Sequence, residues 1–281
     1  MRSGASHVCR GSAAVLLLTL AAISAAAQGT KLSNLDLCNG TNGTPAGPQI
    51  KGCTTIIKSN PNSPQILAIA HNNRGNAFAN LLQYELAIQD YDESIKLDPN
   101  YAKAFNNRGL AYQKQGEYAR AIENFNAAIK IDSNYAVAIV NRGQAYWKKV
   151  DYPHALKDFD EAIRLQPTSA TFWNERCWAR AVVGDLEAAL ADCNKAIELD
   201  PKAAAIFDSR GFTYFKLGKW ELAISDFNAA LRLDRTLANS LYGRGLAKLK
   251  TGDLASGRAD IAAAKAADQG IAEQYARYGV H

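Results

Sequence analysis

The chain has few of the residues and motifs that commonly carry catalysis. Of its 281 residues, 9% are aromatic and 5 are cysteine, and no two cysteines form a C-x-x-C pair. There is no G-x-S-x-G, Walker or zincin motif, so nothing indicates a serine hydrolase, a phosphate-binding loop or a zinc protease. The histidines after residue 27 are His71, His154 and His281, and they lack metal-ligand spacing. We therefore predict a non-enzymatic protein with no metal site and no cofactor.

Long apolar runs are also missing after the N-terminal region, and none approaches the roughly 20 residues of a membrane-spanning helix. The start of the chain is different. Arg2 and Arg10 flank an acid-free beginning, a short apolar run follows, and three alanines precede Gln28. This order is typical of a secretory signal peptide over residues 1–27, cleaved after Ala27. We therefore expect a periplasmic or secreted protein without an integral membrane segment after signal removal.

A strong charge of either sign is absent as well. Removing residues 1–27 takes two of the 32 basic residues and none of the 27 acidic ones, which leaves 30 − 27 = +3. This weak balance gives no reason to expect nucleic acid as a partner. Four cysteines remain, and an even number in an exported chain permits disulfides.

A period of 34 residues runs through most of the chain. An Arg-Gly pair places glycine at positions 75, 109, 143, 211 and 245, and every interval is 34 or twice 34. Alanine opens each of six units, at Ala68, Ala102, Ala136, Ala170, Ala204 and Ala238. The eighth and twenty-seventh positions are small in every unit, and the twenty-fourth is aromatic in four. Over about residues 68–271 this pattern resembles the tetratricopeptide repeat.

The resemblance implies an all-α, right-handed superhelical solenoid of six helix-turn-helix repeats. The predicted repeats are 68–101, 102–135, 136–169, 170–203, 204–237 and 238–271. Residues 28–67 are expected to form an irregular arm followed by an unpaired capping helix over residues 46–60. Residues 272–281 are expected to form a C-terminal cap, as part of a helix from Ile271 to Tyr278 that covers the last repeat.

One repeat departs from the pattern. Cys177 replaces the glycine at its position 8 and Cys193 the aromatic residue at its position 24, two positions that face each other in the repeat hairpin. One interpretation is a disulfide that closes a loop of about 16 residues. The other is a volume exchange that leaves two buried, inert thiols. A second disulfide, between Cys38 and Cys53, would hold the arm against the cap.

A row of carboxylates recurs at position 23 of the repeats, each with an arginine at position 7. The aspartates are Asp90, Asp158, Asp192, Asp226 and Asp260. Because they occur once per repeat, we interpret these pairs as structural and not as catalytic dyads.

The resemblance also implies a concave groove lined by the first helix of each repeat. In its first half we predict peptide contacts from Asn72, Asn73, Asn76, Asn106, Asn107 and Asn141. In its second half we predict aromatic contacts from Trp147, Trp178, Phe212 and Phe215. Position 6 carries asparagine in three successive repeats, which suggests a ladder that holds a peptide backbone. The alternatives are a solvated face for the asparagines and core packing for the aromatic residues.

We therefore predict an exported scaffold that binds a protein or peptide segment in its concave groove. The alternative is a cell-envelope assembly module that oligomerises through its convex face or ends without binding peptide. An enzyme or a carbohydrate binder is a weaker third interpretation. The family's dicarboxylate clamp for chaperone C-termini is not expected, because Asn72, Val137 and Asn141 occupy its basic positions.

Overall fold

A computed structural model describes residues 33–280, so the predicted signal peptide lies outside the described residues. This part of the chain is entirely helical, with fifteen α-helices, one short 3₁₀ helix and no strand. The α-helices are α1 Asn34–Asn39, α2 Ala46–Ser59, α3 Pro64–Asn80, α4 Tyr84–Leu97, α5 Ala102–Lys114, α6 Tyr118–Ile131, α7 Ala136–Lys148, α8 Tyr152–Leu165, α9 Ala170–Val183, α10 Leu186–Leu199, α11 Ala204–Lys216, α12 Trp220–Leu233, α13 Ala238–Lys250, α14 Leu254–Ala267 and α15 Ile271–Arg277. Consecutive helices from α3 to α14 pack as six pairs, which confirms the predicted helical solenoid.

Each pair is joined by a tight turn at position 15 of the repeat. Four of these turns use a glycine with positive φ, as at Gly116, where φ is 80°. Leu82 and Val150 occupy the same position in repeats 1 and 3, with φ of 60° and 63°. Left-handed backbone is unfavourable for such residues, and most of all for a β-branched one. The turn therefore keeps its left-handed backbone even in the two repeats whose position 15 residue disfavours that conformation.

Within a repeat, the two helices approach closely at the position 8 glycine. A Cβ atom added to Gly109 would lie 2.7 Å from a ring carbon of the fully buried Phe125. The same arrangement joins Gly143 to Phe159, at 2.8 Å. Since ordinary carbon contacts are about 3.5–4.0 Å, the aromatic ring of the second helix fills the space that a side chain at position 8 would need.

The arginine at position 7 joins neighbouring repeats as well as the two helices of its own repeat. Arg176 donates two hydrogen bonds to Asp192, at 2.7 and 2.8 Å, and a third of 2.7 Å to Asp160 of the preceding repeat. The equivalent arginines at 74, 142, 210 and 244 make the same bidentate pair and also reach the preceding helical unit. The carboxylates are thus committed to repeat packing.

The N-terminal arm is more regular than predicted. Its residues 34–39 form α1, where Ser33 and Asp36 make a reciprocal capping box and Gly40 ends the helix in left-handed geometry. The helix α1 packs on α2, so the expectation of an irregular arm beside an unpaired capping helix was wrong. In addition, α3 begins at Pro64, one turn before the predicted start of repeat 1.

The C-terminal helix reaches further than the last repeat. Tyr275 is buried, its hydroxyl donates to the backbone carbonyl of Asn239 at 2.8 Å, and its ring lies 5.6 Å from that of Phe212 in repeat 5. Tyr278 lies 5.3 Å from the ring of Trp178 in repeat 4. The C-terminal segment therefore spans the inner side of three repeats and does not only close the end of the stack.

Among the described residues, no helix has both the length and the apolar character that a membrane span requires.

Candidate functional site in the concave groove

The first helices of the repeats form the inner face of the solenoid. Helices α3, α5 and α7 contact one another in sequence, as do α9, α11 and α13. The second helices from α4 to α12 instead each contact two first helices, and α14 contacts α13 and α15. Side chains on the first helices therefore line a common groove, as the repeat family implies.

The six asparagines of the first half form a continuous hydrogen-bonded network. Asn141 donates to Asn106 at 2.9 Å, and Asn106 donates to Asn107 at 3.2 Å. Asn107 then donates to both Asn72 and Asn76, at 2.9 and 3.0 Å. The chain of amides continues from Asn72 through Asn73 to Asn39 on α1.

This network changes the predicted role of the asparagines. Asn72, Asn106 and Asn141 are buried, and both amide protons of Asn107 are used within the protein. Buried amides whose donors and acceptors are satisfied by each other have little left for a ligand. The predicted row of free amides is therefore a hydrogen-bonded network that connects the first helices. Of these asparagines, only Asn73, Asn76 and Asn107 remain partly exposed.

An open hollow of about 640 Å³ lies beside this network, between repeats 1 and 2. Its polar groups include Asn76, Asn107 and Lys114, and its apolar groups include Leu82 and Leu110. Leu82 is 72% exposed and stands at the rim in its left-handed turn. A mixed lining of amides and exposed apolar groups suits a peptide segment better than a purely solvated face would.

The aromatic residues of the second half are not all accessible. Phe212 and Phe215 are buried, whereas Trp147 and Trp178 are half-buried. The ring of Phe212 lies 4.8 Å from that of Trp178 and is covered by the C-terminal tyrosines. Phe215 packs against Trp220 at 5.0 Å. The expectation that Phe212 and Phe215 contact a ligand was thus wrong, because the C-terminal tyrosines cover Phe212 and Phe215 is buried against Trp220.

Two acidic residues of the groove face went unrecognised as site residues in the sequence. Asp208 is buried, accepts a hydrogen bond from Ser240, and has its pKa raised to about 6 by desolvation. Glu175 accepts a hydrogen bond of 3.0 Å from Gln144, and desolvation raises its pKa too. Both residues are acidic, lie on first helices and do not belong to the aspartates at position 23, and this is the sequence feature that could have indicated them as site residues.

Both predicted cysteine pairs lie at disulfide distance. The Cα atoms of Cys38 and Cys53 are 4.5 Å apart, and those of Cys177 and Cys193 are 5.4 Å apart. All four side chains are buried. The first pair joins α1 to α2, and the second replaces the glycine–aromatic contact of repeats 1, 2, 3 and 5. Among the described residues no cluster of metal-ligating side chains is found.

The fold and its inner groove define a helical-repeat solenoid of the kind that presents an extended interaction surface. A family model for the TPR repeat matches residues 83–116 and 211–252, and two models for the tetratricopeptide repeat match residues 102–135 and 140–204. The chain therefore contains tetratricopeptide repeats. A comparison with curated proteins finds no match.

Solved structures of tetratricopeptide proteins are similar in fold. A tetratricopeptide repeat protein from Parabacteroides merdae aligns with a TM-score of 0.68 at 18% identity, over 88% of this chain and 98% of its own. YrrB, described as a TPR protein with an unusual peptide-binding site, aligns with a TM-score of 0.53 at 22% identity, over 69% of this chain and 98% of its own. The APC/C hetero-tetramer Cut9-Hcn1 contains a chain that aligns with a TM-score of 0.73 at 16% identity, over 94% of this chain and 52% of its own.

Proposed function

We propose that the protein is an exported, non-enzymatic scaffold that binds an extended segment of a partner protein in its concave groove. The observation that carries this proposal is the open hollow between repeats 1 and 2, where Leu82 and Leu110 lie beside the partly exposed Asn76 and Asn107. The peptide-binding site described for the similarly folded YrrB supports it.

The exposed apolar side chain at the rim is the most direct test. Leu82→Asn removes the apolar contact, and asparagine tolerates the left-handed backbone at this position. Val150→Asn is a matched control, because Val150 has the same turn position, a φ of 63° and 67% exposure but does not line the hollow. Capture from a periplasmic extract should lose partners with Leu82→Asn, by roughly tenfold in affinity, and keep them with Val150→Asn. Equal capture by both variants would remove the hollow as the binding site.

The export part of the proposal rests on residues 1–27. N-terminal sequencing of the protein recovered from its native host should begin at Gln28. A mature chain that begins at Met1 and lies in the cytoplasm would contradict it.

The alternative, an assembly module, also has a supporting observation. Leu35, Ile66 and Ile69 are exposed around a hollow of about 180 Å³ at the N-terminal end of the stack. Exposed apolar groups at a solenoid end favour end-to-end association. Size-exclusion chromatography with light scattering separates the two functions, since a monomer at working concentration favours peptide binding and an open-ended series of assemblies favours the alternative.

A further inference from the structure

A second cavity, of about 270 Å³, lies in the middle of the groove. Repeats 2, 3, 4 and 6 and the C-terminal segment all contribute to its wall. Three aromatic residues, Trp147, Trp178 and Tyr278, form part of the lining, and the rings of Trp178 and Tyr278 meet edge to face at 5.3 Å. Aromatic faces around a small cavity are suited to a flat or cationic group.

The cavity also contains a carboxylate that no cation contacts directly, although the charge of Lys148 acts on it from a longer distance. Glu175 lines it and accepts one hydrogen bond, from Gln144. No basic side chain in the part of the chain that the structure describes lies within ion-pair distance of this carboxylate. The aspartates at position 23 of the repeats, in contrast, each accept two hydrogen bonds from an arginine. A partly buried carboxylate without a contacting cation is costly unless a positive group pairs with it.

The amides of the cavity have unused acceptor capacity. The Oε1 atom of Gln113 is buried and accepts no hydrogen bond within the described structure. The amide protons of Gln144 and Gln274 are directed to Glu175 and to the Tyr278 hydroxyl, respectively. The open acceptor of Gln113 and the carboxylate of Glu175 together favour a ligand with several N–H donors.

We propose that this cavity binds the guanidinium group of an arginine side chain. The guanidinium is planar, carries five donors and stacks on aromatic rings, whereas an ammonium is compact and strongly hydrated. In this arrangement Glu175 supplies the counter-charge, Gln113 accepts a hydrogen bond, and the aromatic rings hold the flat face. The inference rests on the proposed function, because the arginine belongs to the partner segment that lies in the groove.

Lys148 makes the sign of the ligand charge testable. It lines the same cavity, is exposed, and acts on the Glu175 carboxylate electrostatically without contacting it. A cationic ligand is repelled by Lys148, so Lys148→Gln should strengthen its binding. An anionic ligand, such as a peptide carboxylate, would lose its counter-charge and bind more weakly.

The experiment uses N-acetyl-arginine amide as the probe and N-acetyl-citrulline amide as its uncharged counterpart of the same shape. Both are titrated into the purified full chain by calorimetry. The arginine probe should bind at least about tenfold more tightly than the citrulline probe, and Glu175→Gln should remove that preference. Lys148→Gln should improve arginine binding by about two- to fivefold. Glu123→Gln, an exposed acid outside the cavity, should change nothing.

Equal affinities for the two probes, no binding of either, or weaker arginine binding by Lys148→Gln would each overturn the inference. These outcomes are distinct from failure of the proposed function, which is read from partner capture by Leu82→Asn. Capture that depends on Leu82 but not on Glu175 would leave the scaffold function standing and refute the arginine pocket. Arginine binding without any captured partner would support the pocket and refute the scaffold function.

Discussion

The fourth repeat allows a direct test of whether the side chains at positions 8 and 24 are matched in volume across the two helices of a repeat. In repeats 1, 2, 3 and 5 a glycine at position 8 faces an aromatic ring at position 24, with 2.7–2.9 Å between the added Cβ and the nearest ring carbon. In repeat 4 the fully buried Cys177 and Cys193 occupy these two positions. We predict that Cys177→Gly and Cys193→Phe each destabilise the protein alone and compensate each other together.

The magnitudes follow from packing. In Cys193→Phe the ring would meet the Cβ of Cys177 at about 2.7–2.9 Å, the distance from the ring to a Cβ added at the position 8 glycine of repeats 1, 2, 3 and 5. Overpacking of this kind costs about 1–3 kcal/mol. Cys177→Gly leaves a small void and places glycine inside α9, which costs roughly 1 kcal/mol or more. In the double variant the ring fills the void, and burial of a phenylalanine side chain contributes about 1.5–3 kcal/mol.

Urea unfolding in reducing buffer separates packing from the cross-link, because every variant then lacks the disulfide. The double variant should lie within about 1 kcal/mol of the reduced parent, with a coupling energy of about 1–3 kcal/mol between the two sites. Without reductant, the parent should gain roughly 3 kcal/mol from its closed loop of 16 residues. Purely additive losses in reducing buffer would refute the matched-pair explanation.

Three further predictions concern stability and are all measured by chemical unfolding. Arg176→Lys should lower the free energy of unfolding by about 1–3 kcal/mol, because lysine cannot hold Asp192 bidentately and reach Asp160 as well. Arg164→Lys, in an exposed pair, should lower it by less than about 1 kcal/mol. Equal losses in the two variants would contradict a role of Arg176 in joining repeats. The pKa of Asp208 is raised to about 6 from an ordinary 3.8, so its protonated form favours the folded state below pH 4. As pH rises through 6 this contribution is lost, and the free energy of unfolding falls by up to about 3 kcal/mol. Asp208→Asn should remove this fall, and a pH profile of stability unchanged by the substitution would refute the raised pKa. Val150→Gly should raise the free energy of unfolding by about 0.5–1 kcal/mol, because it relieves left-handed strain at a β-branched residue. Gly116→Val, at the equivalent turn, should lower it. A loss of stability in Val150→Gly would show that the turn is not strained.

The periodic features of the protein could be predicted from sequence because they depend on contacts that every repeat makes in the same way. The 34-residue spacing predicted where the helix pairs lie. The recurrence of aspartate at position 23 and arginine at position 7 indicated that these pairs are structural. Cys177 and Cys193 were recognisable as a facing pair only because the other repeats define which positions face each other.

The N-terminal arm shows where periodicity gives no help. An irregular arm was expected here, yet Ser33 and Asp36 form a capping box that starts α1. The signal was local and present in the sequence, but a six-residue helix is marginal by itself. Packing of α1 on α2 and the contact between Cys38 and Cys53 stabilise it.

The sequence by itself determined the repeat, the number of helix pairs and the facing positions, since these are set by neighbours within about 34 residues. Only the tertiary structure decided which groove residues are free. Asn72, Asn106 and Asn141 bond to one another across repeats, and Tyr275 and Tyr278 cover Phe212 from more than 60 residues away. Exposure depends on what the whole superhelix brings opposite a side chain, and no pattern within one repeat contains that information.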